Sequence, residues 1–190
     1  MDNKKLDIEL YGFCGKSGVG KNYVAEKVFY NIINRNSPKN TLIMAFADHI
    51  KIDMCIKQNF KYEDVFYNKT DDIRRHLQTY GTEMGRDVYG ENIWVDAMIY
   101  WIQTYYDRGV KRFIITDVRF ENEMQFIKKC GGYNILVEAP SRSTISPDNA
   151  MHVSENSLNN NYIDYRINND RTSSDKLESS IEDMIISMKV

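Results

Sequence analysis

Gly15-Lys16-Ser17-Gly18-Val19-Gly20-Lys21-Asn22 follows the apolar run Leu6 to Gly12 and leads directly into a segment with helical apolar spacing. It reads as a phosphate-binding P-loop. Gly15, Gly18 and Gly20 permit the positive φ angles and close backbone approach that let successive N–H groups converge on a phosphate. Lys21 adds a point charge able to reach the β and γ phosphates, and the following helix offers its positive N-terminal end to the same anion. The strand before and the helix after are the context that separates such a loop from a glycine-rich surface turn. Asn22 stands where Ser or Thr usually ligates Mg²⁺, so the reading expects a metal held by Asn22 and Asp117, directly or through water.

Outward from the loop, the chain alternates. Leu6 to Gly12 is the expected first strand, and Val24, Ala25, Val28, Phe29, Ile32 and Ile33 lie on one helical face after it. Leu42 to Phe46 is a short apolar run of the kind found in buried parallel strands, and it ends at Asp48-His49-Ile50-Lys51. Lys57 to Asn68 is weakly patterned and reads as an irregular excursion. Thr70 is an expected N-cap with Asp71 and Asp72 in the first turn, opening a helix that runs through Leu77 and meets Gly81-Thr82. Ile93 to Tyr105 forms one broad apolar face of a long helix that stops near Gly109. Phe113 to Asp117 is the third strand, Glu121 toward Cys130 a helix closed by Gly131-Gly132, and Tyr133 to Glu138 the fourth strand. Ala139 to Asn161 is rich in Ser, Asn and Pro and reads as a mobile loop, Tyr165 to Asn168 as a fifth strand, and Asp175-x-x-Glu178 as a cap for the last helix. This alternation predicts a parallel, doubly wound α/β sheet.

The chain has 190 residues, 42% of them hydrophobic, which suits one compact domain with a single core. A net charge of -2 gives no general pull toward nucleic acid polymers or membrane surfaces, so an anion site must be assembled locally from a few basic residues. Cys14, Cys55 and Cys130 show neither pairing nor metal-ligand spacing, as in a reducing cytosol. No apolar run approaches a membrane span and Met1 to Lys5 leads into no signal-like core, so the reading expects a soluble cytoplasmic protein. The three histidines are too scattered for zinc.

Asp117 closes an apolar strand, where a P-loop protein places a carboxylate near Mg²⁺ or its waters; an ordinary strand-end Asp would instead cap the next turn. Arg74, Arg75, Arg86 and Arg119 lie in segments expected to end at the same sheet edge, and each offers forked donors suited to phosphate oxygens. Singly, such arginines are most simply solvated surface positions. Trp94, beside Glu91 and Asn92 at a helix start, could stack a base, although helical aromatics are usually core. Asn68-Lys69-Thr70-Asp71 matches the guanine-reading N-K-x-D pattern but precedes the Asp117 strand and follows no apolar run, and Asp117 is not followed by the x-x-G that GTPases require. The same Asn68-Lys69-Thr70 is a formal glycosylation acceptor without a secretory signal to use it.

Taken in order, several stretches resemble the deoxynucleoside monophosphate kinases of phages and large DNA viruses, within the P-loop nucleoside monophosphate kinase superfamily. They are Gly15 to Lys21, Ala45-Phe46-Ala47-Asp48 with Lys51, Arg74-Arg75-x-Leu77-Gln78-x-x-Gly81-Thr82, Arg86, Trp94-Val95, Asp117-Val118-Arg119 with Glu121 and Glu123, and His152-Val153-Ser154-Glu155. The resemblance covers nearly the whole chain. It implies a P-loop kinase fold with a five-stranded parallel core, helices on both faces, a mobile helical monophosphate-binding region at about 47–110 and a short lid at about 139–161. It also implies transfer of the γ-phosphate of ATP, with Mg²⁺, to a deoxynucleoside monophosphate, in the host cytoplasm if the source is viral. Carried over, Gly15 to Asn22 hold ATP, while Lys51, Arg75, Gln78, Arg86 and Trp94 face the monophosphate. Asp117, Arg119 and Glu123 line the acceptor pocket or the metal, and Arg142 is the lid cation. The family commonly shows Asp-Thr where this chain has Asn22-Tyr23. Animal phosphomevalonate kinases share a similar loop plan, and a nucleotide-binding switch would share the loop and Asp117, though a switch needs no second phosphate clamp. A homodimer is left open.

Overall fold

The computed structural model describes residues 6–141, 158–170 and 173–188. The chain gathers into two compact units, Met1–Met44 with Tyr105–Val190, and Ala45–Thr104. The first holds a five-stranded sheet in the order β2-β3-β1-β4-β5. Its strands are β1 (Glu9–Cys14), β2 (Thr41–Met44), β3 (Arg112–Val118), β4 (Tyr133–Glu138) and β5 (Tyr165–Asn168). Every neighbouring pair is parallel. Phe113, Ile114, Ile115, Ile135 and Val137 are fully buried, which is why these strands read as continuous apolar runs.

Tyr11 and Phe13 of β1 meet Phe29 edge-on, with ring centroids 4.9 and 5.2 Å apart. Phe29 ends a π-helical stretch, Tyr23–Phe29, that continues into α1 (Tyr30–Asn36). The same apolar cluster takes in Leu177, Ile181 and Ile185 of the last helix, α8 (Ser174–Ser187). Between Tyr11 and Phe13, Gly12 points the other way and lies under Ile127 of α7 (Glu121–Lys129), so the sheet is covered on both faces. The first strand starts and ends later than its sequence pattern predicts, because pairing with β3 and β4 continues to Cys14, immediately before the glycine loop.

At the opposite end of these strands a charge is buried. Arg112 is wholly enclosed, and its guanidinium donates from Nε to Glu9 Oε2 at 2.6 Å and from Nη1 to Asn34 Oδ1 at 2.8 Å and the Ser37 carbonyl at 2.9 Å. Lys39 also pairs with Glu9. Burial alone would raise the Glu9 pKa, but the hydrogen bonds and charges of Lys39 and Arg112 outweigh it and hold the carboxyl below its usual 4.5. A carboxyl depressed on folding contributes stability at neutral pH that is lost as pH falls through its folded-state pKa. Glu9→Gln is therefore expected to cost about 3 kcal/mol at pH 7 in urea unfolding, the low end for a broken buried pair because Glu9 keeps some solvent contact. The gap between variant and wild type should close as pH drops below the ordinary carboxylate range. A gap that persists unchanged into acid would show that the Glu9 charge is not what Arg112 requires.

The second unit contains α2 (Ala47–Lys57), α3 (Tyr62–Phe66), α4 (Asp71–Thr79), a π-helical stretch (Tyr80–Arg86), α5 (Asp87–Tyr89) and most of α6 (Ile93–Asp107). The Thr70 hydroxyl accepts from Ile73 N at 3.3 Å, so the expected cap of α4 is formed. The helix does not stop at Gly81. It widens into the π-helical stretch instead, and the indole of Trp94 explains why: its Nε1 donates to the Gly81 carbonyl at 2.8 Å, and a Cβ on Gly85 would lie 2.3 Å from its ring. Trp101 Nε1 donates to His49 Nδ1 at 3.1 Å, which fixes a neutral His49 with its proton on Nε2, and burial pushes the His49 pKa down.

Candidate functional site

The loop between β1 and the first helix has the backbone that its glycines allow. Gly15, Gly18 and Gly20 adopt φ of 136, 80 and 85°, and a Cβ on Gly15 would lie 2.3 Å from the Val137 carbonyl oxygen at the end of β4. Val24 N donates to the Gly20 carbonyl at 3.0 Å, so the helix begins at the loop's last residues. Lys21 is 9% exposed, and its ammonium donates to the carbonyls of Gly15 at 2.6 Å and Lys16 at 2.8 Å, closing the loop on itself. Asn22 donates from its amide to Glu26 Oε1 at 2.9 Å, one turn further on.

Parallel pairing brings the end of β3 to the same edge. Val118 pairs with Cys14, the residue before the loop, so half-buried Asp117 and Arg119 belong to the sheet edge from which the loop springs. Glu123, read in the sequence as lining the acceptor pocket or the metal, is 3% exposed and accepts at Oε2 from Arg119 N at 2.8 Å and Phe120 N at 3.1 Å. That is the acid half of a capping box; Phe120 has no side-chain acceptor to complete it. The thiol of Cys14 donates to the Ile135 carbonyl at 3.5 Å and is pushed up to about 12 by burial, which leaves it an inert packing group.

The other expected residues lie in the second unit. Lys51 pairs with Asp48 at 2.7 Å and sits 5.0 Å from the Phe66 ring centroid, while the other Asp48 oxygen accepts from Ala45 N at 2.9 Å. Arg75 is exposed and Gln78 half-buried on α4, and their three-residue spacing puts them on neighbouring positions of one helix face. Arg86 is 9% exposed and donates from Nη1 to the Glu91 carbonyl at 2.8 Å, an embedded rather than solvated arginine. Trp94 is 8% exposed with its N–H bonded and its ring against Gly85, so its ring is occupied by packing and is not an open platform for a base. Arg142 and His152 to Glu155 lie outside the described residues. The buried Arg112 pair, and the side-chain amide of Asn169 that donates to the Val19 carbonyl of the loop at 2.9 Å, have no motif by which the sequence could announce them.

These features define an α/β protein with a P-loop springing from the central strand of a parallel sheet. The chain belongs to the deoxynucleotide monophosphate kinase family, whose model matches residues 21–181. A deoxynucleoside-5'-monophosphate kinase of Escherichia phage T5 is 32% identical over 113 residues, a match spanning 56% of this chain and 43% of that protein. Less than half of the phage protein's length is thus represented. Among solved structures, an unliganded sugar kinase from Janibacter sp. HTCC2649 superposes with a TM-score of 0.47 at 10% identity, covering 97% of this chain and 95% of that one.

Proposed function

We propose that this protein moves the γ-phosphate of ATP to a deoxynucleoside monophosphate. The observation that carries the reading is the glycine loop itself: three residues in left-handed backbone, a lysine at its end and a helix starting there form a cradle for a polyphosphate. Family membership and the phage relative supply the acceptor class. Phosphoryl transfer asks the protein for alignment and charge neutralisation, with little covalent chemistry. Lys21 and the loop N–H groups take the donor phosphates, Arg119 offers a cation at the same sheet edge, and Lys51, Arg75, Gln78 and Arg86 take the acceptor.

Among the described residues no group of three or more His, Cys, Asp or Glu is arranged so that it could hold a metal ion. Mg²⁺ in phosphotransferases commonly uses one or two protein oxygens plus waters and substrate phosphates, and Asn22 with Asp117 offers that kind of donor set. Only the carbonyl oxygen of the Asn22 amide has a lone pair for a cation, and with the NH2 group donating to Glu26 that oxygen would be the ligating atom, directly or through water. When bound, Mg²⁺ supplies neutralisation of charge on the β and γ phosphates. No helix among the described residues is long and apolar enough to cross a membrane, and the phage relative supports the host cytoplasm as the working compartment.

The deciding experiment measures ADP release from ATP with each deoxynucleoside and ribonucleoside monophosphate in turn. Turnover that depends on a deoxynucleoside monophosphate is expected. ADP release indifferent to every acceptor would overturn the kinase reading.

A further inference from the structure

Asn169 stands immediately after β5, 150 positions from the glycine loop in sequence. Its backbone N–H donates to the Glu138 carbonyl at 2.8 Å, which continues the β4–β5 ladder by one rung and fixes where its side chain starts. From there the side-chain amide donates to the Val19 carbonyl at 2.9 Å, inside the phosphate loop. The next residue, Asp170, accepts from Ser141 N at 3.0 and 2.9 Å and also from its hydroxyl, which ties this turn to the chain leaving β4.

The orientation of one loop peptide follows from that bond. No peptide bond among the described residues is cis, and in a trans peptide the carbonyl and the next N–H point in opposite directions. Holding the Val19 carbonyl outward toward Asn169 therefore aims the Gly20 N–H to the other side. A peptide preceding glycine is easily flipped, because glycine tolerates both resulting backbone states. Gly20, with φ of 85°, gives no resistance of its own. Val19 cannot move to follow, since its side chain is buried in the apolar cluster.

We infer that Asn169 is a positioning residue for ATP: its hydrogen bond to Val19 selects the peptide orientation in which Gly20 N–H faces the donor phosphates. This rests on the reading of the loop as the ATP site. Removing the bond lets the peptide sample both orientations, so nucleotide affinity falls while the acceptor half is untouched.

The test compares wild type, Asn169→Ala and Asn169→Asp by calorimetric titration with ATP and ADP, by steady-state kinetics and by thermal unfolding. Asn169→Ala is expected to weaken ATP and ADP about five- to tenfold, the scale of one neutral hydrogen bond. Asn169→Asp keeps the shape but sets a carboxylate against a carbonyl, and should weaken both at least as much. In each variant the monophosphate KM should stay within about twofold and the unfolding midpoint near that of wild type. Equal ATP affinity in all three proteins overturns the inference and leaves the ATP site standing. So does parallel loss of both substrates with a lowered midpoint, the mark of a merely structural residue. A wild type that binds neither ATP nor ADP overturns the reading of the loop, and this inference with it.

Discussion

Lys21→Ala is expected to lower turnover by about two to three orders of magnitude while leaving a folded protein. The size follows from what a fixed positive charge does beside a transferring phosphoryl group. It acts on charge in a site from which water is largely excluded, where removal of one such donor has a far larger effect than removal of a surface cation. The cost to the fold is confined to the loop. The Lys21 ammonium binds two loop carbonyls, of Gly15 and Lys16, and each such charge-assisted bond is worth about 1.5 to 3 kcal/mol net. Lys21→Arg is not expected to restore activity: at 9% exposure the side chain is closely enclosed, and a planar guanidinium is a poor replacement for a compact ammonium. ADP release with saturating acceptor, together with circular dichroism of each variant, checks both halves. Near-normal turnover in Lys21→Ala would remove this loop from the chemistry.

What was legible in the sequence is what depends on local physics. A glycine's left-handed backbone is a property of that residue, so Gly15, Gly18 and Gly20 could be read before any contact was known. Strands buried on both faces must be apolar throughout, which made β3 and β4 visible almost to the residue. Thr70 was legible as a cap for the same local reason. Tertiary contacts were not. Gly81 and Gly85 signal a helix end by propensity, yet the helical path runs through both because the Trp94 indole needs a neighbour without a side chain at Gly85. Arg112 opens a strand with no motif around it; the parallel register that sets Glu9 opposite it, together with Asn34 and the Ser37 carbonyl, makes a buried charge tolerable. Glu123 reads as lining the acceptor pocket or the metal; the structure adds that its Oε2 caps α7, for which its position three residues after Phe120 is the available hint.

The acceptor side is best tested at Arg75, because the two arginines assigned to it differ in burial. Arg86 is embedded and bonded to the Glu91 carbonyl, so its removal disturbs the second unit and mixes stability with kinetics. Arg75 is exposed on α4, where truncation leaves the packing intact. If it grips the monophosphate, Arg75→Ala removes a charge-assisted contact worth about 2 to 5 kcal/mol, part of it the cost of leaving the phosphate charge unpaired. At about 1.4 kcal/mol per tenfold, the apparent KM for the monophosphate should rise more than tenfold. The ATP affinity, set by a loop in the other unit, should stay within a few fold, and the unfolding midpoint should not move. Arg75→Lys should recover only part of the loss, since a point charge cannot reproduce two parallel hydrogen bonds to phosphate oxygens. Weakening of ATP alone, or of both substrates equally, would place Arg75 with the donor and dissolve the assignment of α4 to the acceptor.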